Sequence, residues 1–218
     1  MHDFEYVPKE KWKPVRDELI QIIQRLQNEI RNKFTFQYHF VGSSKHKMIT
    51  RDRNSNIGFD FDVNLEPNDP EENYSAEEIR HIFKKGIDTV TNPYGLSIFG
   101  YDYTEDSTRV LTIKVKDRKN ARILHSCDFC IVYNCGDGRQ QYIRYNKKHN
   151  NYSWEYQPKG YDKLPQKIEW IKEHNLWQQV RNIYLDKKNT NTDDNKKSRS
   201  IFAETIQQVC QQNGYYKE

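Results

Sequence analysis

The chain has 218 residues, enough to bury one substantial core or to form one domain with a small appendage. Its 35 lysines and arginines face 31 acids, and a net charge of +4 neither announces nor opposes a nucleic-acid partner. No apolar run approaches the length of a transmembrane helix and Met1–Glu5 does not open a signal peptide, so a soluble, cytoplasmic protein without a membrane partner is predicted. Only 35% of residues are hydrophobic, and 15 tyrosines supply buried area that aliphatic side chains do not.

In chain order, Lys9 to Asn32 predicts a first long helix. Val15, Leu19, Ile22, Ile23, Leu26 and Ile30 recur at helical spacing, and Pro14 is assigned to the tolerant first turn. Phe34 to Val41 switches to period two with strong β-formers and runs into the small-residue turn Gly42-Ser43-Ser44. Lys45 to Asn56 is polar and basic and predicts a short helix or loop. Gly58 to Leu65 predicts a second strand, with Asp60 and Asp62 on one face and Phe59, Phe61 and Val63 on the other. Glu66 to Pro70 breaks the pattern.

Ser75-Ala76-Glu77-Glu78 is a capping box ahead of Ile79, Ile82, Phe83, Ile87 and Val90, and Asn92-Pro93 stops that helix. Strands are predicted over Thr108 to Val115, Ile123 to Asn134 and Gln141 to Tyr145, the last pair joined through Gly136-Asp137-Gly138. From Tyr161 the pattern turns helical: two short helices, a polar loop from Lys187 to Lys197, and a last helix over Ser198 to Gln211. The order predicts an α+β domain on a mixed sheet flanked by helices, residues 1–160, and a small C-terminal helical subdomain, residues 161–218.

Asp60 and Asp62 carry the chemistry. Two carboxylates two residues apart on a strand repel unless a cation lies between them, and Mg²⁺ is commonly held by such a pair together with substrate phosphates. The cysteines at 127, 130, 135 and 210 point elsewhere. Cys127 and Cys130 are three apart on a strand and face opposite ways, so reduced cysteines are expected rather than a zinc site. Arg139 to Tyr161 interleaves aromatics (Tyr142, Tyr145, Tyr152, Trp154, Tyr156, Tyr161) with bases (Arg139, Arg144, Lys147, Lys148, Lys159). It suits either a base-stacking platform or core rings with a solvated rim.

Gly42-Ser43, then Asp60-Phe61-Asp62, then a lone acid at Asp128 in a later apolar strand, resembles the DNA polymerase β-like nucleotidyltransferase superfamily. The branch it resembles most contains the oligoadenylate synthetases and cyclic GMP–AMP synthase. The resemblance covers Lys9 to Tyr145, with fainter echoes at Trp154, Pro158, Lys197-Ser198 and Glu204. It implies a nucleotidyltransferase fold, with Gly42, Ser43 and Ser44 at the phosphates of a nucleoside triphosphate. It also implies Mg²⁺ or Mn²⁺ held by Asp60, Asp62 and Asp128, which would transfer a nucleoside monophosphate to a hydroxyl acceptor by a two-metal mechanism. The acceptor would be a nucleotide, nucleic acid, protein or small molecule. Asp102 and Asp117 compete with Asp128 as third acid but fall in a connection and a turn. Ser44 to Phe59 is longer than in compact relatives, with a polar tip at Asn54-Ser55-Asn56 that would extend over the nucleotide. The helical lobe is shorter than in cyclic-oligonucleotide synthases, which weighs against a cyclic product and leaves nucleotidyl transfer unaffected. Two other readings stand beside this one: a non-catalytic nucleotide- or RNA-binding module, and a metal-dependent glycosyltransferase using Asp60-x-Asp62.

Overall fold

A computed structural model describes residues 2–69, 71–91, 99–157, 164–193, 196 and 198–215. Pro70, Asn92-Pro93, Pro158, Lys159, Tyr161 and Lys197, on which some of the readings above fall, lie outside the described residues. The chain divides into two compact units, one of Val7–Thr50 with Asn56–Gln157, the other of Met1–Tyr6, Arg51–Ser55 and Pro158–Glu218.

The first unit is built on a mixed sheet of strand order β2-β4-β7-β6-β5, where β2 is Thr35–Val41, β4 Ile57–Asn68, β5 Glu105–Asp106, β6 Leu111–Asp117 and β7 Arg122–Asn134. β8 (Gln140–Asn146) continues from β7, and β9 (Asn151–Tyr156) pairs with β8. β4 and β7 run parallel, while the other neighbouring pairs are antiparallel. One face packs on α1 (Lys9–Glu29) and α3 (Ala76–Thr91). Leu19, Ile22, Ile23 and Leu26 of α1 and Phe83 and Ile87 of α3 are fully buried with Phe61, Val63, Cys127 and Phe129 of the sheet.

Pro14 is the sixth residue of α1, which starts at Lys9 as predicted, and so lies in the second turn rather than the first. It removes the hydrogen bond that residue 14 would otherwise donate to the Glu10 carbonyl. The Ser75 capping box forms as predicted: the Glu78 amide donates to Ser75 Oγ at 3.2 Å, and the Ser75 amide donates to Glu78 Oε2 at 2.8 Å. Four strands escaped the pattern analysis: β5 has two residues, Phe4–Tyr6 and Thr50–Asp52 have three each, and β9, although its polar and aromatic residues alternate, lies within the aromatic and basic stretch. Thr108 and Arg109 precede the strand that was predicted to include them.

The second unit contains β1 (Phe4–Tyr6), α4 (Leu164–Glu173), α5 (Trp177–Thr190) and α6 (Ser198–Gln212), with β1 paired to β3 (Thr50–Asp52). Ile168, Ile171, Val180, Tyr184, Ile201, Ile206 and Val209 are its buried apolar residues. The predicted loop at Lys187 is instead the end of α5. Lys188 is buried with its ammonium 3.9 Å from the Phe4 ring centre, and Asn189 Nδ2 donates to the Phe4 carbonyl at 3.2 Å. Polar residues here are helical because a non-local strand receives them.

Candidate active site

The parallel register of β4 and β7 sets Asp62 directly across from Asp128, and Asp60 across from Ser126. Residues in register share a face, as do residues two apart, so the three carboxylates look out from the same side. The alternate residues Phe61, Val63, Cys127 and Phe129 are sealed beneath them. A one-residue slip of either strand would bury the acids, so the apolar alternation itself fixes their side.

The neighbouring strands extend both rows. Thr112 lies across from Asp128, Lys114 across from Ser126, and Glu105 across from Thr112. The Thr112 hydroxyl donates to Asp128 Oδ1 at 2.6 Å, and Lys114 Nζ pairs with Glu105 at 2.5 Å. Burial raises the Asp128 carboxyl above the usual carboxylate range; the Thr112 hydrogen bond opposes the rise and the charge of Asp60 adds to it. The thiol of Cys127, just under the site, reports all three acids. Burial pushes it well up, and the charges of Asp128, Asp62 and Asp60 push the same way.

On the other flank Val41, the last residue of β2, pairs with Asp62, so the following turn starts beside that carboxylate. The turn is the single helical turn α2, Gly42–Lys45. Gly42 has φ +60°, and a Cβ there would stand 2.6 Å from Asp62 Oδ2. The backbone conformation favours glycine, and a Cβ there would push the Asp62 carboxylate aside. Ser43 is half-buried, whereas Ser44 is buried and its hydroxyl donates to the Val41 carbonyl at 2.8 Å. Of the three small residues nominated from sequence, Gly42 and Ser43 keep exposed surface, and the Ser44 side chain braces the turn from inside.

Carboxylate oxygens in this number suit a hard cation such as Mg²⁺ or Mn²⁺, which would offset both the burial of the Asp128 charge and its repulsion by Asp60. Among the described residues, no three His, Cys, Asp or Glu side chains are already gathered as a metal cage. The strand register supplies the common face, with Asp62 and Asp128 opposed and Asp60 one row away.

Crystal structures of Vibrio cholerae DncV share this architecture. Its 3'-deoxy ATP bound form matches with a TM-score of 0.58 at 12% identity, over 98% of this chain and 54% of that one. Its complex with nonhydrolyzable GTP gives 0.58 at 11% identity, over 98% and 55%. A structure of the same cyclic AMP-GMP synthase, described as a prokaryotic cGAS homolog, gives 0.57 at 12%, over 92% and 52%. The chain has the nucleotidyltransferase fold. It spans about half the length of the solved structures it matches. No family model matches the chain, and no curated protein matches it.

Within this nucleotidyltransferase fold the rival acids are engaged elsewhere. Asp102 binds Lys116 at 2.9 Å and Arg118 at 2.8 Å, and Asp117 binds Arg122 at 3.0 Å. The Lys116 hydrogen bond holds Asp102 below the usual range, and the Asn120 hydrogen bond does the same for Asp117. In the aromatic and basic stretch, most groups satisfy one another. Tyr145 and Tyr152 stack at 4.5 Å, Arg139 binds Asp137 and covers the Tyr156 ring, Arg144 binds Glu155, and Trp154 packs against the core. Glu204 of α6 pairs with Lys196 at 2.7 Å. Among the described residues no helix is long and apolar enough to cross a membrane.

Sequence reasoning did not nominate Thr112, Lys114 or Glu105. Alternation with Leu111 and Ile113 does put Thr112 and Lys114 on the face away from the core. Which strand lies beside β7, and in what register, is not written in that alternation.

Proposed function

We propose that this chain is a Mg²⁺- or Mn²⁺-dependent nucleotidyltransferase, moving a nucleoside monophosphate from a nucleoside triphosphate to a hydroxyl acceptor with release of pyrophosphate. The observation that carries this reading is the common face of Asp60, Asp62 and Asp128 in a nucleotidyltransferase fold, with Gly42 pressed against Asp62. DncV structures hold 3'-deoxy ATP, GTP and a linear pppA(3',5')pG intermediate, which supports a nucleoside triphosphate as substrate here.

Asp60, Asp62 and Asp128 would hold the cations, which when bound stabilise charge on the attacking and leaving oxygens. Gly42 leaves room for a triphosphate to approach the turn closely, and Ser43 offers a hydroxyl there. Asp128, whose Oδ1 accepts a hydrogen bond from Thr112, would also ready the acceptor's hydroxyl by taking up its proton on the carboxylate. The acceptor oxygen then bonds to the α-phosphorus as the bond to the bridging oxygen breaks, and pyrophosphate departs.

The test is incubation of the chain with Mg²⁺ or Mn²⁺ and each labelled triphosphate. Pyrophosphate release is expected, falling by about 10²-fold or more in Asp60→Asn and in Asp128→Asn. Undiminished turnover in both variants would overturn the site. Triphosphate binding without turnover by the parent chain would identify a non-catalytic module, and UDP release from a UDP-sugar would restore the glycosyltransferase reading.

A further inference from the structure

We infer that Thr112 is a positioning residue of this site: its hydroxyl fixes the Asp128 carboxylate in the orientation that presents Oδ2 to a divalent cation. The inference rests on the nucleotidyltransferase reading and adds to it a residue from a strand that carries none of the three acids. Thr112 and Asp128 are directly opposed in the antiparallel ladder of β6 and β7. Cross-strand partners of this kind have their Cβ atoms about 5 Å apart, within reach of a side-chain hydrogen bond. The observed O···O separation of 2.6 Å lies in the range of a hydroxyl donating to an ionised carboxylate.

The direction of that bond matters. A threonine hydroxyl has one proton, and giving it to Oδ1 leaves Asp128 charged and one carboxylate oxygen uncommitted to Thr112. A cation at position 112 would instead compete with the metal for the same charge. Lys114, the cation two residues along on the same face, is turned to Glu105 at 2.5 Å. The β-branch of Thr112 restricts χ1, so the hydroxyl direction is set by the strand backbone. Leu111 and Ile113, fully buried on either side, hold that backbone in register. Hydrogen-bonded partners of metal-binding carboxylates commonly change metal affinity by about 10- to 100-fold when removed.

The experiment titrates the 218-residue chain with Mn²⁺ in the absence of nucleotide, following free Mn²⁺ by electron paramagnetic resonance, with circular dichroism and thermal melting on every variant. The parent chain should bind Mn²⁺ and Asp128→Asn should weaken it. Thr112→Val, similar in shape but without the hydroxyl, should weaken Mn²⁺ binding about 10- to 100-fold. Thr112→Ser should return it to within a few-fold of the parent. If the valine chain fails to fold, Thr112→Ala reports the same loss. Parent-like Mn²⁺ affinity in a folded Thr112→Val or Thr112→Ala chain, beside a weakened Asp128→Asn, would overturn the role of Thr112 and leave the acid site standing. Absence of Mn²⁺ binding by the parent chain, with or without a non-hydrolysable triphosphate, would overturn the acid site and this inference with it.

Discussion

At residue 42 the chain must turn left-handed while a carboxylate oxygen sits where a side chain would begin. Gly42→Ala is therefore expected to lower stability by about 1–2 kcal/mol from the backbone conformation alone. It should also drive Asp62 from its place, so that triphosphate turnover falls by more than the lost stability explains. Urea denaturation and a pyrophosphate assay on the same preparation check both. The glycine was readable as the end of an alternating strand. Its contact with Asp62 was not, because it depends on Val41 pairing with a residue some twenty positions away. Ser44 shows the converse: a small polar residue nominated with Gly42 and Ser43 has its hydroxyl turned inward to the Val41 carbonyl.

At the scale of elements, α3 shows how far local signals reach. Its start was legible, since Ser75 and Glu78 cap each other within four residues of chain. Arg80 was not. It is fully buried, binding Asp106 at 2.7 Å and donating to the carbonyls of Ile143, Ser107 and Val110. The guanidinium thus ties α3 to β5, β8 and the approach to β6, all within the sheet unit. Arg80→Met would leave Asp106 and those carbonyls without their partner, and a loss of about 3–5 kcal/mol is expected in thermal or urea unfolding. A loss under about 1 kcal/mol would show that the network relaxes around methionine. A rule that sends arginine to the surface misplaces this one because its partners come from residues 106 to 143.

Across the whole molecule, stability should fall on acidification through a group outside the acid site. His125 lies on the core side of β7, stacked on Phe59 with its Nε2 3.1 Å from the Tyr101 hydroxyl, and burial lowers its pKa to about 4. The unfolded chain takes up that proton below about pH 6.5, whereas the folded chain resists until about pH 4. The contribution is therefore full above pH 6.5 and is lost as pH falls towards 4, by up to about 3 kcal/mol. Urea midpoints measured across this window should slope downward in the parent chain and flatten in His125→Gln. An unchanged slope in that variant would assign the acid sensitivity to other groups.

What the sequence determined by itself is the part of this protein set by neighbours in the chain. The periods of α1, β2, β4 and β7, the capped start of α3, and the division of β4 into an acidic and an apolar face all follow from residues a few positions apart. Those alternations also decided that Asp60, Asp62 and Asp128 stay out of the core. Only the tertiary structure decided what stands beside them. The parallel pairing of β4 with β7, the approach of Gly42 to Asp62 and the hydrogen bond from Thr112 to Asp128 each join residues well separated in the chain. Such pairings are chosen by burial summed over the whole sheet, and no local pattern carries that sum.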